Sequence, residues 1–136
     1  MSLTEGDVAA LHAMADEFTE AFNTGDVDRL MQFYADTYAD QNLRNPVQSW
    51  AERRRYYAEV MQRGLRVKVL PDEIVVEGNI GLVRGRIEVR TAAHDAAPTE
   101  LRYLEVARKA ADGAWRVFWG MDGPVQEWEP EASSTA

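Results

Sequence analysis

Apolar residues recur at intervals of three and four near the start of the chain: Val8, Leu11, Ala15, Phe18 and Phe22. That spacing predicts one buried face of a helix. Thr4, with Asp7 three residues on, is its expected cap, and Asn23-Thr24-Gly25 its expected end. Asp26 then caps a short second helix with Val27, Leu30, Met31 and Tyr34 on its apolar stripe. A short strand is expected from Tyr38 to Asn42 and a turn at Asn45-Pro46. Ser49 and Glu52 match a capping box and predict a third helix to about Arg63. Trp50, Tyr57 and Met61 share one face of it, and Gly64 stops it.

After Gly64 the period falls to two. Leu65–Leu70 and Ile74–Glu77, interrupted at Pro71, read as one long bulged strand. Gly78-Asn79 forms a hairpin turn into a strand from Gly81 to Thr91, and the stretch from Ala92 to Pro98 is a loop. Leu101–Lys109 and Trp115 to about Asp122 are the last two strands, joined at Asp112-Gly113. Helices first and antiparallel strands afterwards predict an α+β domain, three N-terminal helices packed on one face of a curved, mainly antiparallel sheet. Such layers can enclose a cone-shaped pocket, of the kind that holds small apolar molecules beside a few polar groups. One domain is expected over 1–126, followed by an acidic, disordered tail over 127–136.

The chain has 136 residues, with 15 basic against 23 acidic, a net charge of −8. Residues 1–64 hold 11 acids and 6 bases, residues 65–126 hold 9 of each, and the tail holds 3 acids and no base. A neutral sheet half and an acidic remainder lack the basic footprint that nucleic acid demands, and an anionic membrane surface is excluded on the same ground. No apolar run approaches a membrane span, and the N-terminus lacks a signal peptide's blocks, so a soluble cytoplasmic domain is expected. Cysteine is absent, which removes disulfides and thiol nucleophiles. Any catalysis rests on oxygen acids, tyrosines or water.

Three stretches carry a family likeness: Phe22-Asn23-Thr24-Gly25-Asp26-Val27-Asp28-Arg29-Leu30, then Phe33-Tyr34-Ala35-Asp36, and the closing Asp112-Gly113-Ala114-Trp115-Arg116-Val117. They resemble the nuclear transport factor 2-like superfamily, and within it small bacterial SnoaL-like proteins, over residues 5–125. The resemblance implies a cystatin-like, cone-shaped α+β barrel. It leaves function open, because the superfamily includes isomerases, dehydratases, epoxide hydrolases, polyketide cyclases and non-catalytic association domains. A ketosteroid isomerase needs a Tyr, an Asp base and a protonated Asp, where this chain has Phe18, Asn42 and Glu105. Two of the three are lost, which disfavours that mechanism. For limonene epoxide hydrolases, Asn42 and Arg86-Ile87-Glu88 match in part, whereas Gly120 and Asp40 stand where an acid and a Tyr belong. In the SnoaL-like polyketide cyclases a last-strand Asp is the acid/base for ring closure, and Asp122 is its counterpart.

The candidate residues also have a chemistry of their own. On the strand from Gly81, Gly81, Val83, Gly85, Ile87 and Val89 alternate with Leu82, Arg84, Arg86, Glu88 and Arg90. The first set should face the helices and the second the outside, opposite to what an epoxide hydrolase requires of Arg86 and Glu88. Glu105 shares a face with Tyr103 and Ala107. It is either a carboxyl in an apolar cavity, where desolvation would suit it to proton transfer, or an outer partner of Arg84 or Arg86. Asp40 and Asn42 share a face with Tyr38; they orient a water or a hydroxyl, or cap the turn before Asn45-Pro46. Asp122 lies beside Gly120, which leaves room for a ligand, or it belongs to the turn with Gly123-Pro124.

The expected catalytic set is therefore Asp40, Asn42, Glu105 and Asp122. The expected lining is Phe18, Tyr34, Tyr38, Trp50, Arg54, Tyr57, Met61, Tyr103 and Phe118, with Arg54 guarding the mouth from the Trp50–Tyr57 side of its helix. His12 and His94 are separated and no carboxylates show ligand spacing, so no metal and no cofactor are expected. The function expected is acid/base chemistry on a small apolar, oxygenated molecule: isomerisation, cyclisation, dehydration or epoxide opening. The alternative is a non-catalytic ligand-binding or association module. The Arg- and Glu-rich outer sheet face suggests a homodimer.

Overall fold

A computed structural model describes residues 3–42, 48–91 and 97–124, excluding the side chains of residues 3, 39–42 and 48. The Asn45-Pro46 turn, most of the 92–98 loop with His94, and the 127–136 tail lie outside the described residues. The elements run α1 (Leu3–Asn23), α2 (Val27–Met31), β1 (Tyr34–Asn42), β2 (Gln48–Ser49), α3 (Trp50–Gln62), β3 (Arg66–Glu77), β4 (Ile80–Arg90), β5 (Thr99–Lys109) and β6 (Trp115–Pro124). One six-stranded sheet has the order β2-β1-β6-β5-β4-β3. All neighbours are antiparallel except β1 and β6, which run parallel. The fold is thus α+β, with helices on one face of a curled, mainly antiparallel sheet.

Helix boundaries follow their local chemistry. The Asp26 side chain accepts from Arg29 N–H at 3.1 Å and caps α2. Ser49 and Glu52 form the reciprocal capping box of α3. Gly25 and Gly64 take positive φ angles of 76° and 79° beyond α1 and α3, a conformation that favours glycine. Thr4 lies inside the first turn of α1 rather than capping it, because the helix starts at Leu3. Tyr34 is not on α2 either. That helix stops after five residues, and the Phe33 carbonyl accepts from Val117 N–H at 2.8 Å, drawing the chain into the sheet four residues before Tyr38.

α1 closes the cone by covering the exposed edge of β3. Asn23 makes both backbone bonds of Val67, donating to its carbonyl and accepting from its N–H, each at 2.9 Å. Thr19 Oγ1 accepts from Val69 N–H at 3.1 Å. Two side chains thus replace the hydrogen bonds a seventh strand would have made, and that edge is blunted. At the other end of α1, Asp7 accepts from Lys109 Nζ at 2.9 Å and from the Trp115 indole at 3.2 Å. Leu11, Phe22 and Ala21 are buried between these pins, with Leu30, Val83, Ala107 and Val117.

Three ladders carry a register shift, the one in β1–β6 lying between Tyr34 and Ala39. The β3–β4 register shifts between Pro71 and Glu73, as Pro71 suggested. Gly85 sits against this bulge: a Cβ built there would lie 2.3 Å from the Leu70 carbonyl oxygen and 2.8 Å from Pro71 Cα. The β5–β6 register shifts between Val106 and Ala107, whose partners are Trp119 and Val117. Phe118 is the extra residue.

Gly85→Ala is expected to destabilise the protein by about 3 kcal/mol, the upper end of overpacking costs, because backbone rather than a pliable side chain fills the space. A lower urea midpoint at unchanged slope would be the sign of it. Wild-type stability in this variant would show that the bulge yields.

Candidate functional site

The curled sheet, α1 and α3 enclose a cavity with ≈ 50 Å³ open to the centres of water-sized molecules. Its walls divide by chemistry. Leu11, Met14 and Phe18 of α1, with Val69, Val83 and Ile87 of β3 and β4, make an apolar wall. Opposite them stand Tyr34, Tyr38, Arg53, Tyr57, Tyr103, Glu105 and Asp122. Alternation along each strand produces this: Val83 and Ile87 share a face of β4, and Tyr103 and Glu105 one of β5.

Aromatic rings pack the polar end. Phe18 meets Tyr57 edge-on at 5.8 Å between centroids, and Tyr34 meets Tyr38 at 4.6 Å. The Tyr34 and Tyr57 hydroxyls are 3.0 Å apart and share a hydrogen bond. Arg53, on α3, donates to Asp122 at 3.2 Å, and both side chains are nearly buried, at 9% and 13% exposure. Its guanidinium lies 4.6 Å from the Tyr57 ring centre and 5.0 Å from that of Tyr56.

The phenols are held protonated. Burial, then Tyr57, Glu105 and Tyr38, push Tyr34 well above its ordinary value, with the Arg53 charge offsetting part. Burial raises Tyr57 to about 12, against the lowering effects of Arg53 and the Tyr34 hydrogen bond. Tyr103 is raised by burial first, then by the charges of Glu105 and Asp72. At neutral pH the cavity therefore offers neutral hydroxyls and a guanidinium beside two carboxyl groups.

Of the residues expected at the site, Phe18, Tyr34, Tyr38, Tyr57, Tyr103, Glu105 and Asp122 line this cavity. Asp40 and Asn42 are placed by backbone alone, opposite Gly120 and Asp122 across the β1–β6 ladder. Four expected lining residues lie elsewhere. Arg54 is bonded to Asp28 at 2.7 Å on the surface, tying α3 to α2. Met61 packs against the core. Trp50 and Phe118 border a separate surface cleft. The β5–β6 bulge explains Phe118: the extra residue rotates it away from Val117 and Gly120, and Arg108 stacks on it at 4.3 Å. Arg86 and Glu88 are not inside. Arg86 pairs with Asp72 at 3.1 Å on the face away from Val83 and Ile87, so the epoxide-hydrolase element is absent from the cavity.

The residue that sequence reasoning missed is Arg53. It lies four residues before Tyr57 and seven before Val60, and all three are buried. A single charge inside an otherwise apolar helical stripe was the available signal. Among the described residues, no group of three or more His, Asp or Glu is placed to hold a metal ion. None of the described helices is long and apolar enough to cross a membrane.

A family model described as the SnoaL-like domain matches residues 15–118. Solved structures agree in fold. A ketosteroid isomerase-like protein from Erwinia carotovora atroseptica is 21% identical, with 88% of this chain and 96% of that one covered at a TM-score of 0.71. A candidate dehydratase of the nuclear transport factor 2-like family from Streptomyces avermitilis is 21% identical, covering 90% and 99% at 0.76. A candidate calcium/calmodulin-dependent protein kinase II association domain from Xanthomonas campestris is 18% identical, covering 90% and 88% at 0.70. Others are described by a cystatin-like fold. No curated protein matches the chain.

Buried phenols link stability to pH. Unfolded tyrosines ionise near pH 10 and these only above it, so the folded state keeps protons that the unfolded state has lost. Stability is full below about pH 10 and falls as pH rises toward 12. Urea midpoints should drop over that window, with phenolate absorbance appearing together with unfolding, and Tyr34→Phe should flatten the decline.

Proposed function

The chain belongs to the SnoaL-like domain family of the nuclear transport factor 2-like superfamily, and on that premise we propose that its cavity performs cofactor-independent acid/base chemistry on a small, apolar, oxygenated molecule. The observation that carries this is the pair Glu105 and Asp122 in one cavity, facing an apolar wall. Asp122 is committed to Arg53, whose hydrogen bond orients it. Glu105 is the proton carrier: it stands among three neutral phenols whose ionisation its charge opposes. Asp40 and Asn42, beside Gly120 and Asp122 in the ladder, complete the proposed catalytic set.

Isomerisation, cyclisation and dehydration share one elementary step, proton transfer at a carbon beside a carbonyl, and need no cofactor for it. The dehydratase and isomerase-like descriptions of two structural neighbours favour this class. Ring closure of polyketide-cyclase type with Asp122 as acid/base falls within it. The steroid-isomerase mechanism remains disfavoured, since Phe18 supplies no hydroxyl and Asn42 no base.

A second role, homodimerisation through the outer sheet face, is favoured by an apolar row. Val75, Leu82, Val106 and Trp119 are successive partners across four strands. Val75 and Leu82 are 43% and 39% exposed. Beside them run the Arg84–Glu73 and Arg86–Asp72 pairs. A second copy related by a two-fold axis would meet both apolar and opposite-charge partners there.

Two measurements separate these roles. Wild-type protein should catalyse deuterium exchange from solvent at the carbon beside the carbonyl of small cyclic ketones, and Glu105→Gln should slow it about 100-fold or more. Exchange that is absent in the wild type, or undiminished in the variant, removes Glu105 from this role. In sedimentation velocity the wild type should run as a dimer and Leu82→Arg as a monomer. A monomeric wild type at high concentration rules out the interface.

A further inference from the structure

Tyr103 differs from the other polar groups of the cavity in how its hydroxyl is used. The residue is 6% exposed, and its oxygen is buried with no hydrogen-bond partner among the described residues. Tyr34 and Tyr57 bond to each other, and Arg53 bonds to Asp122. A buried hydroxyl without a partner is costly, so its retention points to a ligand that supplies one. Tyr103 also occupies a junction. Together with Met121 and Asp122 it borders both the inner cavity and an outer cleft of ≈ 360 Å³ that Asp72, Arg84 and Arg102 help to line.

We propose that the Tyr103 hydroxyl is the specificity anchor of the site, donating a hydrogen bond to the acceptor oxygen of an uncharged ligand whose apolar body extends from the inner cavity into the outer cleft. The class comprises ketones, esters, lactones and epoxides. The proposal rests on the inner cavity binding an apolar oxygenated molecule, and it adds that molecule's charge and orientation. Burial and the nearby carboxylates keep the phenol protonated through neutral pH, so it donates rather than accepts. The cavity's own carboxylates oppose an anion: Glu105 and Asp122 line it, and its lining guanidinium, Arg53, is engaged by Asp122. In the outer cleft Arg84 is paired with Glu73, and Asp72 with Arg86. Arg102 is the exposed cation that could draw an anion there instead, and the test includes that outcome. The inner space of ≈ 50 Å³ admits only part of a ring-sized ligand, and the cleft that shares Tyr103, Met121 and Asp122 with it is assigned the remainder.

Three ring probes, cyclohexanone, methylcyclohexane and cyclohexanecarboxylate, would be titrated into the full chain while following the methyl NMR signals of Val69, Val83 and Ile87. Cyclohexanone is expected to shift these signals and to bind at least 10-fold tighter than the carboxylate. Tyr103→Phe should weaken cyclohexanone about 3- to 10-fold, the usual range for one neutral hydrogen bond, and leave methylcyclohexane unchanged. The variant should be as stable as the wild type or more so, since no partner of the hydroxyl is lost; a residue with only a structural role would not combine that stability with selective loss of the ketone. Equal ketone binding by wild type and Tyr103→Phe, preference for the carboxylate, or no shift with any probe would overturn the anchor. Glu105→Gln keeps the two ideas apart. Ketone binding that depends on Tyr103 without isotope exchange supports the anchor and removes the proton carrier, whereas exchange that is indifferent to Tyr103→Phe does the reverse.

Discussion

A guanidinium cannot leave water alone, and the arrangement of this cavity follows from the one that has. Arg53 projects from α3 into the space under the sheet, where isolated charge is expensive, and its hydrogen bond to Asp122 compensates it. That bond fixes α3 against the end of β6. It gives Asp122, one of the two cavity-lining carboxyl groups, a positional task. It also places positive charge beside the Tyr34–Tyr57 pair, which moderates the rise in their ionisation while burial keeps both neutral. The inner volume is small because a charged side chain and several aromatic rings occupy the polar end.

Much of this was legible along the chain, and the parts that were not share a cause. Helix ends were readable because Asp26, Ser49, Gly25 and Gly64 act within a few residues of themselves. The facing of β4 was readable because glycine and valine alternate with arginine, and period two has no third option. Pro71 announced the β3 bulge. The β5–β6 bulge had no such marker, so the parity of β6 was carried one residue too far and Phe118 was placed inside. The same limit applies to helix α3. The Trp50–Tyr57 side of the helix points to Arg54, whereas the stripe through Tyr57 and Val60 points to Arg53, and in the structure it is Arg53 that reaches Asp122, 69 residues away. Tyr34, attached to α2 by its spacing, belongs to β1 because Phe33 finds a partner on β6.

β4 shows how one strand serves two surfaces. Its inward residues are small or branched: Gly81 packs under Leu11, Gly85 against the bulge, and Val83 and Ile87 form the floor of the cavity. Its outward residues carry ion pairs beside the apolar row through Leu82. Substitutions on one face leave the other nearly untouched, because successive side chains never meet. A scaffold with this property can change what it binds inside without changing what it touches outside. That is a physical reason why relatives of one fold carry descriptions as different as isomerase-like, dehydratase and association domain.

Similarity of fold therefore constrains the chemistry less than the placement of individual hydroxyl and carboxyl groups does. Phe18 fills the position where an isomerase would have a phenol, yet the cavity is not short of phenols: Tyr34, Tyr38, Tyr57 and Tyr103 enter it from β1, α3 and β5. Three of these are pushed toward the neutral form by burial. A neutral donor meets an uncharged acceptor at little cost, whereas a carboxylate ligand would also meet the like charge of Glu105 and Asp122. On the proposed reading, the excess of carboxyl over guanidinium inside the cavity selects ligand charge, and the Tyr103 hydroxyl, without a partner among the described residues, selects ligand geometry. The overall charge of −8 adds to the repulsion of an anion at a distance.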